Sequence, residues 1–265
     1  GYKIQGRHLD KEDMIIYVMD ISKLFKIKTL KDVYTNIITG LKVITEYEND
    51  KVIKKEVWKD FGKHGESKEW YLNGNLKSTK KYYYGKLIDN SKEYYENGAI
   101  KELVKYSSSN IYHYANVKEY YKNGKMKKSY PSLLVAGKRI YDGEVTEYYE
   151  NGNIRFTGSY KESLQDGEWK FYLKNGNLQT IANYKSGELN GLKEDYYENG
   201  KLWTRQEFKD NIPEDIYEIY YEDGTPQLKA KIKEGIVIEE KRFNRDGTLY
   251  DEDDDRVIIS ESVDN

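Results

Sequence analysis

The stretch Glu147-Tyr148-Tyr149-Glu150-Asn151-Gly152-Asn153-Ile154 contains a motif that recurs eight times along the chain. In each copy an aromatic residue is followed four positions later by glycine, and two positions beyond that usually by an aliphatic residue. The eight glycines are spaced 24, 26, 28, 24, 24, 24 and 23 residues apart: Gly74, Gly98, Gly124, Gly152, Gly176, Gly200, Gly224 and Gly247. Units of this length are too small to fold alone and stack into arrays. The sequence therefore predicts a repeat protein that works through an extended surface.

The residue before each glycine predicts the local structure of the repeat. Six copies carry Asn-Gly and two, at Asp223-Gly224 and Asp246-Gly247, carry Asp-Gly. Both dipeptides favour a two-residue type I′ turn, because they tolerate positive φ at both central positions. Each copy is thus expected to be a β-hairpin. With the glycine as position 0, such a turn pairs position −3 with position +2, for example Tyr71 with Leu76 and Tyr149 with Ile154.

Strand alternation then divides the repeat between two faces of a sheet. We expect positions −3, +2 and +8 on a packed face and position −4 on the opposite face. The −4 residues proposed to bind a partner are Trp70, Tyr94, Tyr120, Tyr148, Tyr172, Tyr196 and Tyr220. Basic residues at +3 are expected across from them in four copies: Lys77, Lys101, Lys127 and Arg155. Exposed aromatic surface tends to mark binding, so the two rows together are predicted to form a partner-binding strip.

The regularity of the motif also suggests boundaries. Residues 1–40 are expected to form an irregular N-terminal cap, and residues 41–249 a repeat array of about nine units, the first of them degenerate. Residues 250–265 begin with an acidic run and are expected to be a tail or a closing strand. Two units are longer than the others, which predicts enlarged loops at residues 107–116 and 131–138.

Composition narrows the classes of function. The net charge of −2 and the mixture of acidic and basic residues give no support for binding of nucleic acid. No apolar run approaches the ~20 residues that span a bilayer, so a soluble chain is expected. Cysteine is absent, and none of the three histidines, His8, His64 and His113, has a second His or a Cys at metal spacing. We therefore expect no catalytic residues, no metal and no cofactor.

The units resemble the bacterial variant of the MORN repeat, in which G-x-Y, D-G and Y-Y-x-N-G-x-L form a hairpin. One whole copy runs through Gly158, Tyr160, Asp166, Gly167, Phe171, Tyr172, Asn175, Gly176 and Leu178. The resemblance covers about residues 41–249. It implies an all-β fold, an elongated single-layer antiparallel sheet of tandem hairpins, with no catalytic residues to transfer. It also implies binding of other proteins or of membranes.

These observations favour a noncatalytic binding, adhesion or scaffold module with a protein partner. Two alternatives remain: an antitoxin or immunity protein that neutralises a cognate toxin, and a peripheral membrane-lipid binder. The sequence starts at Gly1 without an initiator Met, so a signal peptide could precede it. Export to the cell envelope or exterior of a bacterium is the expected location, with the cytoplasm as the alternative. The identity of the partner and the oligomeric state are not predicted.

Overall fold

The computed structural model describes residues 29–36, 38–107, 113–135 and 138–250, and every regular element in them is a β-strand. The chain divides into two compact units, residues 1–140 and 141–265. The strands of the first unit are β1 Thr29–Thr35, β2 Leu41–Glu48, β3 Lys51–Lys59, β4 Gly62–Lys63, β5 Gly65–Trp70, β6 Leu76–Tyr83, β7 Lys86–Tyr94, β8 Ile100–Tyr106, β9 His113–Tyr120 and β10 Met126–Val135, and the short β11 Lys138–Tyr141 lies at the unit boundary. Those of the second unit are β12 Gly143–Tyr148, β13 Ile154–Lys161, β14 Leu164–Tyr172, β15 Leu178–Lys185, β16 Glu188–Tyr196, β17 Leu202–Lys209, β18 Ile212–Tyr220, β19 Pro226–Lys233 and β20 Ile236–Arg242.

Pairing follows the order of the chain in both units. In the first, each strand from β1 to β10 is hydrogen-bonded to the next in antiparallel fashion, with the two-residue β4 beside β5 on the edge of β3. In the second, the same succession runs from β12 to β20. The prediction of an all-β fold built from tandem antiparallel hairpins is confirmed.

The predicted type of turn at Asn-Gly is wrong. In the repeat around Gly74, the Gly74 N–H donates to the Tyr71 carbonyl at 2.9 Å and the Tyr71 N–H donates to the Asn75 carbonyl at 2.8 Å. Only Gly74, with φ of 90°, has positive φ in this turn. This is a three-residue loop, a type I turn followed by a glycine bulge. Glycine is required there because the third loop position is left-handed.

The turns at the other end of the hairpins adopt the two-residue geometry that was expected at Asn-Gly. Ser186 and Gly187 have φ of 51° and 87°, and Lys185 pairs directly with Glu188. Positive φ at both central residues is the mark of a type I′ turn. The degenerate first unit also has it, at Asn49 with φ of 50° and Asp50 with φ of 61°.

The three-residue loop shifts the pairing of the hairpin by one residue. Position −4 pairs with +2, as in Trp70 with Leu76, and a bulge at +3 then places Glu69 opposite Ser78. The expected pairs of −3 with +2 are therefore wrong in the Asn-Gly hairpins, because residue +1 takes the place opposite −3. The shift moves +2 to the face of −4 and +3 to the other face.

In each unit, the buried side chains of the described residues lie on one face of the sheet, which we call the packed face. It carries positions −5, −7, +4, +6 and +8. In the second unit, Trp169 is 1% exposed, and its ring lies 5.5 Å from that of Phe156 and 4.9 Å from that of Tyr160. In the first unit, the buried residues of this face are small or aliphatic, apart from Tyr130 and Glu56: Ile44, Ser67, Ser78, Ser91, Val104, Ala115, Val117 and Ser132. The opposite face, with positions −4, −6 and +5, is called the open face.

Hydrogen bonds between equivalent positions tie successive repeats together. The hydroxyl of Tyr71, at −3, donates to the carbonyl of Tyr94, the −4 residue of the next repeat, at 2.7 Å. The same bond to the −4 carbonyl of the next repeat is made by Tyr95, Tyr149, Tyr197 and Tyr221. The turn asparagine also links successive repeats. The Asn199 side-chain oxygen accepts from the Lys201 N–H at 2.9 Å, while its Nδ2 donates to the Glu222 carbonyl at 3.1 Å. The turns are thus held to each other as well as closed internally.

The structure revises two of the expected boundaries. Strand β1 is regular and pairs with β2 along its whole length, so part of the predicted cap belongs to the sheet. The predicted loops 107–116 and 131–138 are strand in part, since β9 begins at His113, β10 extends to Val135, and the two pair from Met126 with Tyr120 to Leu134 with His113. The rest of the predicted cap, residues 1–28, and the acidic segment 251–265 lie outside the described residues.

Candidate binding face

The −4 aromatic residues lie on the open face, as predicted. Trp70, Tyr94 and Tyr120 in the first unit are half-buried, as are Tyr148, Tyr172, Tyr196 and Tyr220 in the second. Each is paired across its hairpin with the +2 residue, which is Leu76, Ile100 and Met126 in the first unit. The −4 and +2 side chains together make an apolar row that crosses the strands.

The +3 cations do not join this row. Their ammonium and guanidinium groups pair with the −5 glutamates of the packed face: Lys77 with Glu69 at 3.7 Å, Lys101 with Glu93 at 4.0 Å, Lys127 with Glu119 at 3.6 Å and Arg155 with Glu147 at 2.7 Å. Adjacent residues of a strand point to opposite faces, so a cation paired with −5 projects to the face opposite the ring at −4, even where Trp70 and Lys77 line one groove near the turn. The predicted strip of aromatic residues edged by Lys77, Lys101, Lys127 and Arg155 is therefore wrong as a single surface.

Other lysines flank the aromatic row of the first unit. They occupy position −6, two residues before each aromatic residue, and are Lys68, Lys92 and Lys118. The register places them in one line across the sheet: Lys55 pairs with Lys68, Lys68 with Thr79, Thr79 with Lys92, Lys92 with Leu103, and Leu103 with Lys118. We call this line the lysine row. Its sequence signal was a basic residue at −6 in three successive copies.

The lysine row is largely free of counter-charge. Lys68 pairs with Glu66 at 2.9 Å. For Lys55, Lys92 and Lys118, no carboxylate lies within ion-pair distance among the residues that the structure describes. An open groove of about 350 Å³ beside the row is lined by Lys55, Val57, Glu66, Lys68 and Trp70. The first unit thus presents unneutralised ammonium groups next to aromatic rings.

The open face of the second unit is charged differently. From β16 to β19, the positions equivalent to the lysine row carry Glu194, Arg205, Glu218 and Lys229 in succession. The −6 position of β14 is Lys170, which lies 2.8 Å from Glu168. Arg205 lies 2.8 Å from Glu194 and 3.9 Å from Glu218, and Lys229 lies 3.4 Å from Glu218. The charges of this part of the sheet therefore neutralise one another.

The acidic residues of that network also bind the aromatic row. The hydroxyl of Tyr196 donates to Glu194 Oε2 at 2.7 Å, and the hydroxyl of Tyr220 donates to Glu218 Oε2 at 2.9 Å. Burial, followed by the hydrogen bond to Glu194, raises the pKa of Tyr196 to about 12. In the second unit these tyrosines are thus already engaged by the protein itself.

The described residues do not assemble a metal site around His64. His64 packs against two tyrosine rings, with centroid distances of 5.2 Å to Tyr83 and 4.9 Å to Tyr84. The structure brings together no group of His, Cys, Asp and Glu able to hold a metal ion within the described ranges. His8 and the side chain of His113 lie outside them. Nor does this part of the chain contain a helix long and apolar enough to cross a membrane.

Three solved structures are similar over 82% of this chain, each with a TM-score of 0.22: the crystal structure of TcdB2-TccC3-Cdc42 at 12% identity, the Photorhabdus luminescens Tc holotoxin pore carrying a TccC3 mutation at 12%, and the crystal structure of TcdB2-TccC3-TEV at 11%. The chain spans only 15%, 15% and 12% of those chains, and a likeness at this level does not bear on function. No match was found among curated proteins.

The family is shown by the repeats themselves. The model of the MORN repeat variant matches residues 63–83, 90–107, 115–131, 141–162, 165–186 and 189–210. Each match falls on strands of successive hairpins in the observed sheet. Six consecutive matches in register with the observed hairpins place this chain in the MORN-repeat family.

Proposed function

We propose that the chain is a noncatalytic protein-binding module and that it binds through the open face of its first unit. The observation that carries the proposal is the coincidence, on one face, of the apolar row and the lysine row. Tryptophan and tyrosine supply much of the energy of protein interfaces, because they bury a large area with few rotatable bonds. Lysines at the margin of such a row attract and orient an acidic partner.

The contrast between the two faces supports the choice of surface. The packed face holds all the buried side chains of the described residues, and its +3 cations are paired with carboxylates. Side chains that already satisfy each other gain little from a partner. The open face of the first unit has no buried side chain among the described residues, and of its lysine row only Lys68 is paired with a carboxylate there, so contact with a partner would gain both apolar burial and ion pairs.

The contrast between the two units supports the choice of unit. In the second unit, Glu194, Arg205 and Glu218 form a closed network and hold two of the aromatic hydroxyls. A partner would have to break these contacts before making its own. In the first unit, the equivalent positions carry Lys68, Lys92 and Lys118, two of which have no carboxylate partner among the described residues.

The test is affinity capture from a lysate of the source organism, with the double variant Tyr94→Ala/Tyr120→Ala compared with the unaltered chain. The matched control is Lys101→Ala/Lys127→Ala, which alters the packed face of the same two repeats. The proposal expects one protein to be captured by the unaltered chain and by the control, and at least tenfold less of it by the tyrosine variant. Equal capture by both variants, with unchanged circular dichroism, would contradict it.

A further inference from the structure

We propose that the lysine row and the apolar row of the first unit recognise an acidic segment in the polyproline II conformation, with a carboxylate at every third residue. This inference rests on the proposed function and specifies the chemistry of the partner. The lysine row consists of Lys55, Lys68, Lys92 and Lys118, and the apolar row beside it contains Trp70, Tyr94 and Tyr120.

The spacing of the lysines provides the first argument. Lys68, Lys92 and Lys118 lie on β5, β7 and β9, which are alternate strands of the sheet. Neighbouring strands are ~4.8 Å apart, so these three lysines recur about every 9.6 Å, while Lys55 on the adjacent β3 lies one strand from Lys68 and is outside this spacing. A polyproline II helix has three residues per turn and rises ~3.1 Å per residue, so every third side chain recurs on the same side after about 9.3 Å. The spacing of the lysines and the spacing of every third side chain of a polyproline II helix therefore match to within a few tenths of an ångström.

An extended β-strand fits the row less well. Its side chains recur on one side every second residue, after ~6.6 Å, and the third residue points to the opposite side. A carboxylate on an extended strand would therefore come into phase with the lysines only at long intervals. The geometry of the row selects a ligand with threefold repetition.

The aromatic residues supply the second argument. Trp70, Tyr94 and Tyr120 are each two residues beyond a lysine of the row on the same strand, which places them ~6.6 Å to one side of it. They recur with the same spacing as the lysines. Grooves lined by aromatic rings bind polyproline II segments, because this helix is preformed and presents its prolines to the rings. A carboxylate over each lysine and a proline over each ring satisfies both rows at once.

The twist of the sheet argues against a flat anionic surface as the occupant. Adjacent strands rotate by ~20 to 25°, so the direction in which side chains project turns by ~80 to 100° between β5 and β9. Lys68 and Lys118 therefore point in widely different directions. A planar bilayer can meet only part of the row at one time, whereas a polyproline II helix has no internal hydrogen bonds and can change its winding to keep its carboxylates over the lysines. We commit to the peptide and treat anionic vesicles as an arm of the test.

The probe is a fluorescein-labelled peptide of five Glu-Ala-Pro triplets, measured by fluorescence anisotropy with the full chain at low salt. The comparison peptide has the same composition but carries its five Glu residues in one block. The proposal expects the phased peptide to bind about tenfold more tightly than the blocked one. Two protein variants accompany it: Lys68→Gln/Lys92→Gln/Lys118→Gln on the open face, and Lys77→Gln/Lys101→Gln/Lys127→Gln on the packed face of the same repeats.

Both variants lose three positive charges from surface side chains, so general electrostatic attraction falls equally. The open-face variant is expected to lose at least tenfold in affinity for the phased peptide and to lose the preference over the blocked one. The packed-face variant should remain within about twofold of the unaltered chain. The single change Lys92→Gln, at the centre of the row, should lower the affinity for the phased peptide by a smaller factor. It replaces the triple variant in the test if the triple variant is poorly folded.

Several results would overturn the inference: equal affinity for the two peptides, equal loss in the two triple variants, or no binding of either peptide. Binding of vesicles containing anionic lipid, lost in the open-face variant while the peptides do not bind, would assign the row to a membrane surface instead. If the peptides fail but Tyr94→Ala/Tyr120→Ala still abolishes capture of a protein, the specific ligand is wrong and the proposed function stands. If the peptides do not bind and the tyrosine variant captures as much protein as the unaltered chain, both the specific ligand and the proposed function are wrong.

Discussion

The hydroxyl of Tyr149 donates a 2.8 Å hydrogen bond to the backbone carbonyl of Tyr172, which occupies the −4 position of the following repeat. The same bond recurs at four other repeats of the described chain. It gives position −3, which is tyrosine in six of the eight copies, a reason to carry tyrosine and not phenylalanine. The hydroxyl couples one repeat to the next, and the ring alone would not.

Replacing Tyr149 with phenylalanine removes this bond and leaves the ring in place. We expect Tyr149→Phe to lower the free energy of unfolding by about 1 kcal/mol, since the carbonyl of Tyr172 loses a partly buried partner. The chain provides its own comparison at Leu173, which occupies −3 and has no hydroxyl. Leu173→Tyr should be neutral or stabilising. Urea denaturation measures both, and a loss in Leu173→Tyr equal to that in Tyr149→Phe would argue against the bond as the cause.

The turn asparagine does more than shape the turn. Asn199 accepts a bond from the Lys201 N–H within its own turn and donates from Nδ2 to the carbonyl of Glu222 in the next. Asn199→Asp keeps the acceptor and loses the donor, so we expect a loss of about 1 kcal/mol. Asp223 accepts from the Thr225 N–H in the same way, and Asp223→Asn should not destabilise the chain. Thermal unfolding of the variants Asn199→Asp and Asp223→Asn measures both effects. An equal loss of stability in the two variants would exclude the bond between turns as the cause.

Gly158 lies beneath the indole of Trp169. A methyl group added at Gly158 would come within 2.2 Å of Trp169 Cδ2, closer than any real contact. We therefore expect Gly158→Ala to destabilise the chain by about 2 kcal/mol or more. The next repeat carries Ala182 at the same position, so alanine itself suits the strand. Adding Trp169→Leu to Gly158→Ala should cost less than the sum of the two single changes, and simple additivity would show that the clash is not responsible.

Alkaline pH should weaken the second unit through Tyr196. Burial and the hydrogen bond to Glu194 raise the pKa of this phenol to about 12 in the folded chain, against 10.0 for an ordinary tyrosine. The folded state thus holds its proton more tightly than the unfolded state. The stability that the folded chain gains from holding the Tyr196 proton is fully present below pH 10 and is lost as pH rises from about 10 to about 12. NMR of ¹³Cζ-labelled tyrosine should show the late titration, and Glu194→Gln should shift it to lower pH. A midpoint near 10 would contradict the assignment.

The period of the repeat and its hairpins were predictable from the sequence, because Asn-Gly and Asp-Gly recur at regular intervals and each marks a turn. The geometry of the turn was not. A two-residue type I′ loop and a three-residue loop with a glycine bulge both accept Asn followed by Gly, and the sequence does not say whether Gly74 is the second or the third loop residue. The choice of loop fixed the register.

The error in register explains the error in the binding strip. One extra loop residue and one bulge moved Lys77 and its equivalents from the aromatic face to the side of Glu69. The lysines at −6 could have been found, since they alternate with the aromatic residues along the same strand and need no assumption about the turn. The alternation of side chains along a single strand assigns residues to a face without any assumption about the turn. Pairing across the hairpin depended on a turn type that the sequence left ambiguous.

The central claim is that the open face of the first unit, and not its packed face, contacts the partner. Thr79 and Lys80 are neighbours on β6 and point to opposite faces, with Thr79 in line with the lysine row. A photo-crosslinking amino acid placed at each position in turn, with the captured partner added, compares the two faces at the same depth in the sheet. We expect strong cross-linking from position 79 and little from position 80, and the reverse pattern, or equal yields from both, would exclude the open face as the contact surface.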